Sequence, residues 1–200
     1  MAASDPMRLF IAIAIPEPVK ARLETAQTEL RRALPGASVR WARREQLHLT
    51  LKFLGEVAAA RVEPLAEALR NACQPFAPLR LRLEGVGGFP NLRRPRVLWA
   101  GVPDEAGRLA QLQAAVDGAT RDFSNEKKEP GFAGHVTLAR LRDLNRTEAD
   151  ALAERADGMK QQPFGQWTVD QIKLMRSELS PQGARHTPLA IFTLAAVDTR

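Results

Sequence analysis

Residues 46–54 read Gln-Leu-His-Leu-Thr-Leu-Lys-Phe-Leu. Apolar and polar residues alternate along most of this stretch, which is typical of a β-strand with one face in the core. The leucines at every second position form the buried face, and His48, Thr50 and Lys52 fall on the opposite face. We therefore expect a half-buried strand that presents an imidazole, a hydroxyl and an amine to the same side.

A second segment repeats this pattern, since His135-Val136-Thr137-Leu138 matches His48-Leu49-Thr50-Leu51 in residue class at every position. The chain has ten threonines and 25 leucines in 200 residues. By chance, a histidine is followed by any residue, threonine and leucine in about 0.6% of cases, yet two of the three histidines carry this pattern. The repetition indicates a shared chemical role.

Both halves of the chain follow the same predicted order of strand, helix, motif strand and helix. The first strand begins at Arg8, 40 residues before His48, and the corresponding strand begins at Arg96, 39 residues before His135. We interpret residues 1–200 as one domain of two similar lobes, with motif-bearing halves spanning roughly 8–75 and 96–160. Apolar spacing and turn residues predict helices over 17–34, 61–73, 104–123 and 145–157, further strands over 79–83, 167–175 and 189–197, and a turn at 87–90.

The composition is that of an ordinary globular protein, with 44% hydrophobic and 26% charged residues, and it excludes disordered and collagen-like chains. The one cysteine, Cys73, excludes an internal disulfide and a thiolate zinc cluster, which favours a reducing compartment. The early apolar run over 9–15 is too short to span a bilayer, and no secretory signal is visible. We therefore expect a cytoplasmic protein with no membrane partner.

Basic residues outnumber acidic residues by 29 to 23, which gives a formal net charge of +6. This excess suits a phosphate-rich partner such as RNA, because the arginine fork matches phosphate oxygens. Arginine also outnumbers lysine by 23 to 6, a bias that genome base composition alone can produce. Charge by itself leaves both interpretations open.

Two facing strands of this kind would place two imidazoles across a cleft, with a hydroxyl beside each. One imidazole can take a proton from an attacking hydroxyl, the other can give a proton to the departing oxygen, and the threonines can bind non-bridging phosphate oxygens. The sequence has no His-Glu-x-x-His, no paired cysteines and no aspartate cluster at ligand spacing. We therefore expect phosphate chemistry that uses neither a metal nor a cofactor.

Several segments, taken in order and spacing over nearly the whole chain, carry a resemblance to a known family. The chain resembles the two-histidine phosphoesterases and, within them, the LigT-like RNA 2′,3′-cyclic phosphodiesterases, formerly described as 2′-5′ RNA ligases. The segments are Arg-Leu-Phe-Ile-Ala-Ile-Ala-Ile-Pro at 8–16, Trp41, Leu-His-Leu-Thr-Leu-Lys-Phe-Leu-Gly at 47–55, Gly-Phe-Pro at 88–90, Arg-Pro-Arg-Val-Leu-Trp at 94–99, His-Val-Thr-Leu-Ala-Arg at 135–140 and Ser-Glu-Leu at 177–179.

The resemblance implies an α+β fold with two lobes in a pseudo-two-fold arrangement, each an antiparallel sheet with flanking helices, and a central cleft between them. It implies hydrolysis of an RNA-terminal 2′,3′-cyclic phosphate to a 2′-phosphate. His48 would be the proton donor, His135 the proton acceptor that activates water, and Thr50 and Thr137 the phosphate ligands. The implied partner is RNA or an oligonucleotide that ends in a 2′,3′-cyclic phosphate, and we expect a monomer to bind it.

The resemblance further implies base stacking by Phe53 and a phosphate contact by Arg140, each five residues after its histidine. Strict alternation places both side chains on the face opposite to the histidine. A β-bulge or a strand end is therefore needed before they reach the cleft. A core position for Phe53 and a solvated surface position for Arg140 are the alternatives.

Two residues depart from the family pattern. Gly134 precedes the second histidine where a proline is usual, and His186 stands where an aromatic residue is common. Because His186 has no threonine two residues later, we interpret it as a structural or surface residue.

Three functions stay open at this point. The two intact motifs favour the cyclic phosphodiesterase. The same site could instead run in reverse as a 2′-5′ RNA ligase, or hydrolyse a small cyclic nucleotide. A non-catalytic nucleotide- or RNA-binding module could also keep the cleft for recognition alone.

Overall fold

The computed structural model describes residues 5–35, 37–124, 126, 131–142, 144–180 and 183–195. Within these residues it has four α-helices: α1 (Glu17–Arg31), α2 (Val62–Cys73), α3 (Arg108–Ala119) and α4 (Arg146–Asp157). Its nine strands are β1 (Met7–Ala14), β2 (Val39–Trp41), β3 (His48–Val57), β4 (Leu79–Phe89), β5 (Val97–Gly101), β6 (His135–Leu141), β7 (Pro163–Val169), β8 (Gln171–Ser180) and β9 (Gly183–Thr193).

The strands of the described chain form one antiparallel sheet in the order β7-β4-β5-β6-β3-β1-β8-β9, and β2 also pairs with β6. The sheet consists of two halves that meet between β3 and β6, where Leu49 lies opposite Val136. We name the half with β3, β1, β8 and β9 the His48 lobe, and the half with β6, β5, β4, β7 and β2 the His135 lobe. This architecture confirms the predicted α+β class.

Each lobe is covered by one helix from each half of the sequence. Helices α2 and α3 pack together on the His48 lobe, where α2 contacts β9 and α3 contacts β3. Helices α1 and α4 pack together on the His135 lobe, where they contact β7 and β4. Helix α1 therefore follows a strand of one lobe and covers the other lobe, and α3 does the same in the opposite direction.

Each helix buries an apolar stripe. Helix α4 begins with a capping box, since Asn145 Oδ1 accepts from the N–H of Glu148 at 2.9 Å and Glu148 Oε2 accepts from the N–H of Asn145 at 3.0 Å. None of the helices in the described part of the chain is both long and apolar enough to cross a membrane. The apolar stripe of α1 is buried at Val19, Leu23, Ala26 and Leu30.

The turn predicted at 87–90 is wrong because β4 continues through Phe89. The turn follows at Asn91, whose Oδ1 accepts from the N–H groups of Arg93 and Arg94 at 3.0 and 3.1 Å. An asparagine side chain that bonds the backbone two residues on is a turn signal in its own right. Two glycines before Phe89 were therefore weaker evidence for a turn than the asparagine after it.

The single strand predicted over 167–175 is two strands that lie far apart in the sheet. Strand β7 ends at Val169 beside β4, and β8 begins at Gln171 beside β1. Between them, the carbonyl of Asp170 accepts from the N–H of Leu194 at 2.7 Å. The chain thus passes from the His135 lobe to the His48 lobe within one residue. Because so short a connection does not interrupt the apolar pattern, the sequence predicted a single strand.

Replacement of Leu49 tests the contact between the two lobes. Leu49 is fully buried, so Leu49→Ala should lower the free energy of unfolding by about 2–5 kcal/mol through lost packing and the cavity left behind. Urea denaturation measures this loss. Leu179→Ala is the control, because Leu179 is 70% exposed and its loss should stay within about 0.5 kcal/mol. Similar losses in both variants would contradict the core position of Leu49.

Candidate active site

The pairing of Leu49 with Val136 brings the two histidine motifs side by side. Both residues are fully buried, so the flanking residues of each motif point to the other face of the sheet. Because the strands are antiparallel, His48 lies beside the position of Thr137, and Thr50 lies beside that of His135. In a regular antiparallel sheet, diagonal neighbours such as the two histidines are about 7–8 Å apart, and their Cβ atoms are somewhat closer. Two imidazole side chains at that spacing can contact one small anion.

A β-bulge in β3 changes the faces of the residues after Thr50. Ala12 of β1 pairs with Thr50, but the next pair is Ile11 with Lys52, so Leu51 has no opposite residue in β1. Beyond this point the alternation is displaced by one residue. The predicted position of Lys52 on the His48 face is therefore wrong. Its Nζ lies 2.8 Å from Asp117 Oδ1 on α3 and donates to the carbonyl of Asp117 at 3.1 Å.

The same bulge turns Phe53 onto the face of His48. Phe53 pairs with Phe10 of β1, which lies on the same face of that strand as Ala12, the partner of Thr50. The rings of Phe53 and Phe10 are 6.0 Å apart, and the Phe10 ring stacks on His48 at 4.9 Å. Phe53 is 52% exposed, so the core alternative is excluded. The side chain thus lies on the face of His48 and is open to solvent.

A matching bulge in β6 carries Arg140 to the face of His135. Thr137 pairs with Trp99 of β5, the next pair is Ala139 with Leu98, and Leu138 is left without an opposite residue in β5. Arg140 then pairs with Val97, which shares a face of β5 with Trp99. Thr137 and Arg140 therefore lie on one face of β6, and Arg140 is exposed there.

Both histidines are oriented by the backbone two residues before them. His135 Nδ1 lies 2.8 Å from the carbonyl of Ala133. Because a carbonyl can only accept, Nδ1 carries the proton, and in the neutral ring Nε2 keeps its lone pair. His48 makes a corresponding hydrogen bond with the backbone of Gln46. The neutral His135 ring thus holds the tautomer that a proton acceptor at Nε2 requires.

The surroundings of His48 disfavour its charged form. Burial is the largest cause, the charge of His186 is the next, and Lys20 adds a smaller repulsion. Together these lower the pKa of His48 to about 4, although the hydrogen bond with Gln46 acts in the opposite direction. His48 is therefore neutral at pH 7 in the free protein.

His186 packs directly against the site, although its sequence context indicated only a structural or surface residue. Its ring lies 5.2 Å from His48 and 4.9 Å from Phe10, in both cases edge to face. The pairing of β9 with β8, which places His186 opposite Ser177, brings it there. Burial lowers the pKa of His186, while Glu45 acts in the opposite direction. A partner strand so late in the chain left no local signal for this contact.

Aromatic rings support each histidine, and the sequence reasoning assigned none of them to the site except Phe53. Phe89 packs against His135 at 5.1 Å and against Trp99 at 5.3 Å. Trp99 in turn lies over Gly87, where a Cβ atom would come within 2.2 Å of the indole ring. Alternation along β1 could have assigned Phe10 to this face, because its neighbours Leu9 and Ile11 point into the core on the other face.

Among the described residues, no group of three or more His, Cys, Asp or Glu side chains is placed to hold a metal ion. The face of the sheet that carries the motifs holds the imidazoles of His48, His135 and His186, two hydroxyls, a guanidinium and an exposed phenyl ring. This set can transfer protons and bind an anion that carries an aromatic base.

Comparison with known proteins places this arrangement in a family. The family model described as LigT like Phosphoesterase matches residues 13–99 and 101–186, one segment for each half of the chain. The chain belongs to the LigT-like phosphoesterases. A curated relative from Archaeoglobus fulgidus, an RNA 2′,3′-cyclic phosphodiesterase, is 32% identical over 93% of this chain and 99% of its own.

Solved structures agree with the family assignment. TT0787 of Thermus thermophilus superimposes with a TM-score of 0.77 at 32% identity, over 95% of this chain and 99% of that chain. E. coli LigT complexed with 3′-AMP superimposes with a TM-score of 0.72 at 28% identity, over 95% of this chain and 99% of that one. The predicted resemblance is confirmed.

The protonation of His48 in this LigT-like phosphoesterase can be measured directly. We expect its ring to titrate with a midpoint near pH 4 in ¹H–¹⁵N spectra of the free protein. His186→Phe should raise that midpoint, because the variant keeps a ring over His48 and removes the charge that repels its imidazolium. A midpoint of about 6.5 in the native protein, or one unchanged in His186→Phe, would contradict this account of the site.

Proposed function

We propose that the protein hydrolyses RNA ends that carry a 2′,3′-cyclic phosphate and releases a 2′-phosphate, by general acid–base catalysis between His48 and His135. The observation that carries this proposal is the Leu49–Val136 pairing, which sets both His-x-Thr motifs on one face of adjacent strands. The name of the curated relative, RNA 2′,3′-cyclic phosphodiesterase, supports the same reaction.

The reaction needs one proton acceptor and one proton donor on opposite sides of the phosphorus. His135 Nε2 takes a proton from water as its oxygen bonds to phosphorus. The bond between phosphorus and O3′ breaks, and protonated His48 gives its proton to O3′. The products are a 2′-phosphate and a free 3′-hydroxyl. His135 ends protonated and His48 ends neutral, so exchange with solvent restores both rings.

The remaining groups of the cleft bind the substrate. Thr50 and Thr137 donate to the non-bridging oxygens, and Arg140 adds a charged donor on the His135 side. Phe53 stacks on the terminal base, to which its 52% exposed ring is open. The complex of E. coli LigT with 3′-AMP supports a nucleotide as the occupant of this fold.

Bound substrate counters the causes that lower the pKa of His48. In the free protein His48 is neutral at pH 7, because burial and His186 disfavour its charge. A cyclic phosphodiester carries one negative charge, and an anion beside the ring favours the imidazolium. His48 therefore takes up its proton as the substrate enters the cleft.

The cytoplasm is the compartment that we propose for this reaction. Cys73, the one cysteine, is buried in the core, and burial raises the pKa of its thiol to about 11. A thiol in that state is inert as a nucleophile and has no partner for a disulfide within the chain.

Hydrolysis of a short RNA with a 2′,3′-cyclic end tests the proposed reaction. With EDTA present, the native protein should release the 2′-phosphate, which chromatography against both isomers identifies. His48→Ala and His135→Ala should each lower kcat by about 10²–10⁴-fold. Arg80→Ala is the control, since Arg80 is exposed on β4 and should keep native turnover. Tight RNA binding without turnover in the native protein would instead favour the binding module.

The dependence of rate on pH separates the free protein from the complex. Because one ring must be neutral and the other charged, both kcat and kcat/KM should be bell-shaped. The limb of kcat/KM that follows His48 should lie near pH 4, and it is identified by its shift in His186→Phe. In kcat the same limb should lie at higher pH, because the bound anion favours the imidazolium. A His48 limb at the same pH in both profiles would contradict the role of substrate charge.

A further inference from the structure

We propose that Gln27 and Gln113 are positioning residues of the active site, each of which stabilises the β-bulge of one histidine motif. Their effect passes through Phe53 and Arg140, which reach the cleft only because of the bulges. The inference rests on the proposed function for its kinetic consequences, and its structural consequence is measurable without any substrate.

Gln113 acts on the bulge of β3. It lies on α3, and its Nε2 donates to the carbonyl of Leu51 at 3.3 Å. Leu51 is the residue that has no opposite residue in β1. The helix side chain thus supplies a donor to the backbone at the point where the register of the strand changes.

Gln27 acts on the bulge of β6 in the same way. It lies on α1 and is 2% exposed, one of two buried polar residues among those described. Its Nε2 donates to the carbonyl of Leu138, the bulged residue, and to the carbonyl of Ala42, both at 2.9 Å. The N–H of Ala42 also donates to Leu138 at 2.9 Å. Both protons of the buried amide are therefore used, one at the bulged residue and one at Ala42, which itself bonds that residue.

The two glutamines occupy equivalent places in the two halves of the sequence. Gln27 precedes His48 by 21 residues, and Gln113 precedes His135 by 22 residues. Because α1 and α3 exchange lobes, each glutamine bonds the motif of the other half. The same contact thus occurs twice, through different helices and different strands.

Each motif strand could adopt either a bulged or a regular conformation, and the glutamines stabilise the bulged one. An extra residue leaves backbone groups outside the strand ladder, and a buried carbonyl without a donor is costly. Gln113 gives the Leu51 carbonyl a donor, and Gln27 gives the Leu138 carbonyl a second donor beside the N–H of Ala42. Both amides therefore stabilise the backbone at the bulged residues. In a regular β3, Lys52 would return to the cleft face and Phe53 would leave it.

NMR spectroscopy tests the structural part of this inference. In the native protein, the Phe10 and Phe53 rings, 6.0 Å apart, should give a ring-to-ring NOE. Gln113→Met keeps the length of the side chain without its donor, and we expect it to lose this NOE. Gln27→Met should keep it, because Gln27 bonds the other motif. Gln111→Met is the matched control, an exposed glutamine on the same helix. Retention of the NOE in Gln113→Met would overturn the inference.

Kinetics test the functional part. Loss of a stacked base raises KM while kcat stays nearly unchanged, so Gln113→Met should raise KM by roughly tenfold, within the range of one stacking contact. In the double variant Gln113→Met with Phe53→Ala, KM should be no higher than in Phe53→Ala alone. Gln27→Met should be non-additive with Arg140→Ala in the same way. The crossed pairs, Gln113→Met with Arg140→Ala and Gln27→Met with Phe53→Ala, should multiply.

The outcomes distinguish this inference from the proposed function. Multiplying effects in all four pairs would show that the glutamines stabilise the fold alone, and would overturn the positioning role. A native protein that hydrolyses no cyclic phosphate would reject the proposed function, while the NOE comparison still decides whether Gln113 stabilises the bulge. Should Gln113→Met not fold, Gln113→Asn keeps an amide that is one methylene too short for Leu51, and the same loss of the NOE is expected.

Discussion

The pairing of Leu49 with Val136 is the constraint on which the rest of the structure depends. It joins two antiparallel half-sheets at one pair of buried residues, and both histidine motifs flank it. Because side chains alternate along a strand, a slip of one residue would turn the imidazoles and hydroxyls of one motif into the core. Burial of the aliphatic residues on the helix-covered face therefore sets the register that assembles polar groups on the other face. The two strands thus contribute one face to the hydrophobic core and the other face to the candidate active site.

The sequence predicted this arrangement up to the threonine of each motif and no further. Period-two alternation places His48 with Thr50, and His135 with Thr137, because it depends only on neighbouring residues. The bulges at Leu51 and Leu138 depend on pairing with β1 and β5, strands about 40 residues earlier in the chain. Alternation alone therefore placed Lys52 on the wrong face. The sequence showed that Phe53 and Arg140 need a bulge to reach the face of the histidines, but it did not show where the bulge lies.

The residues that sequence reasoning missed share a cause. Gln27 lies within the apolar stripe of α1, where periodicity registers it only as an interruption, and His186 lies on the last strand of the sheet. Their partners, Leu138 and His48, are more than 100 residues away. Local patterns describe which face a residue occupies, whereas these contacts follow from which lobe each helix and strand joins. The exchange of α1 and α3 between lobes is visible only in three dimensions.

In the reaction that we propose, the environment of His48 links proton transfer to the charge of the substrate. Phe10 and His186 pack against the ring, and burial opposes its ionisation more strongly than the nearby charges of His186 and Lys20 do. The same burial removes water that would otherwise screen the charge of a bound phosphate. An anion in the cleft therefore acts on His48 at low dielectric, and it counters the cause that lowers the pKa in the free protein. In the reaction that we propose, His48 is charged while a phosphodiester is bound and neutral in the free protein.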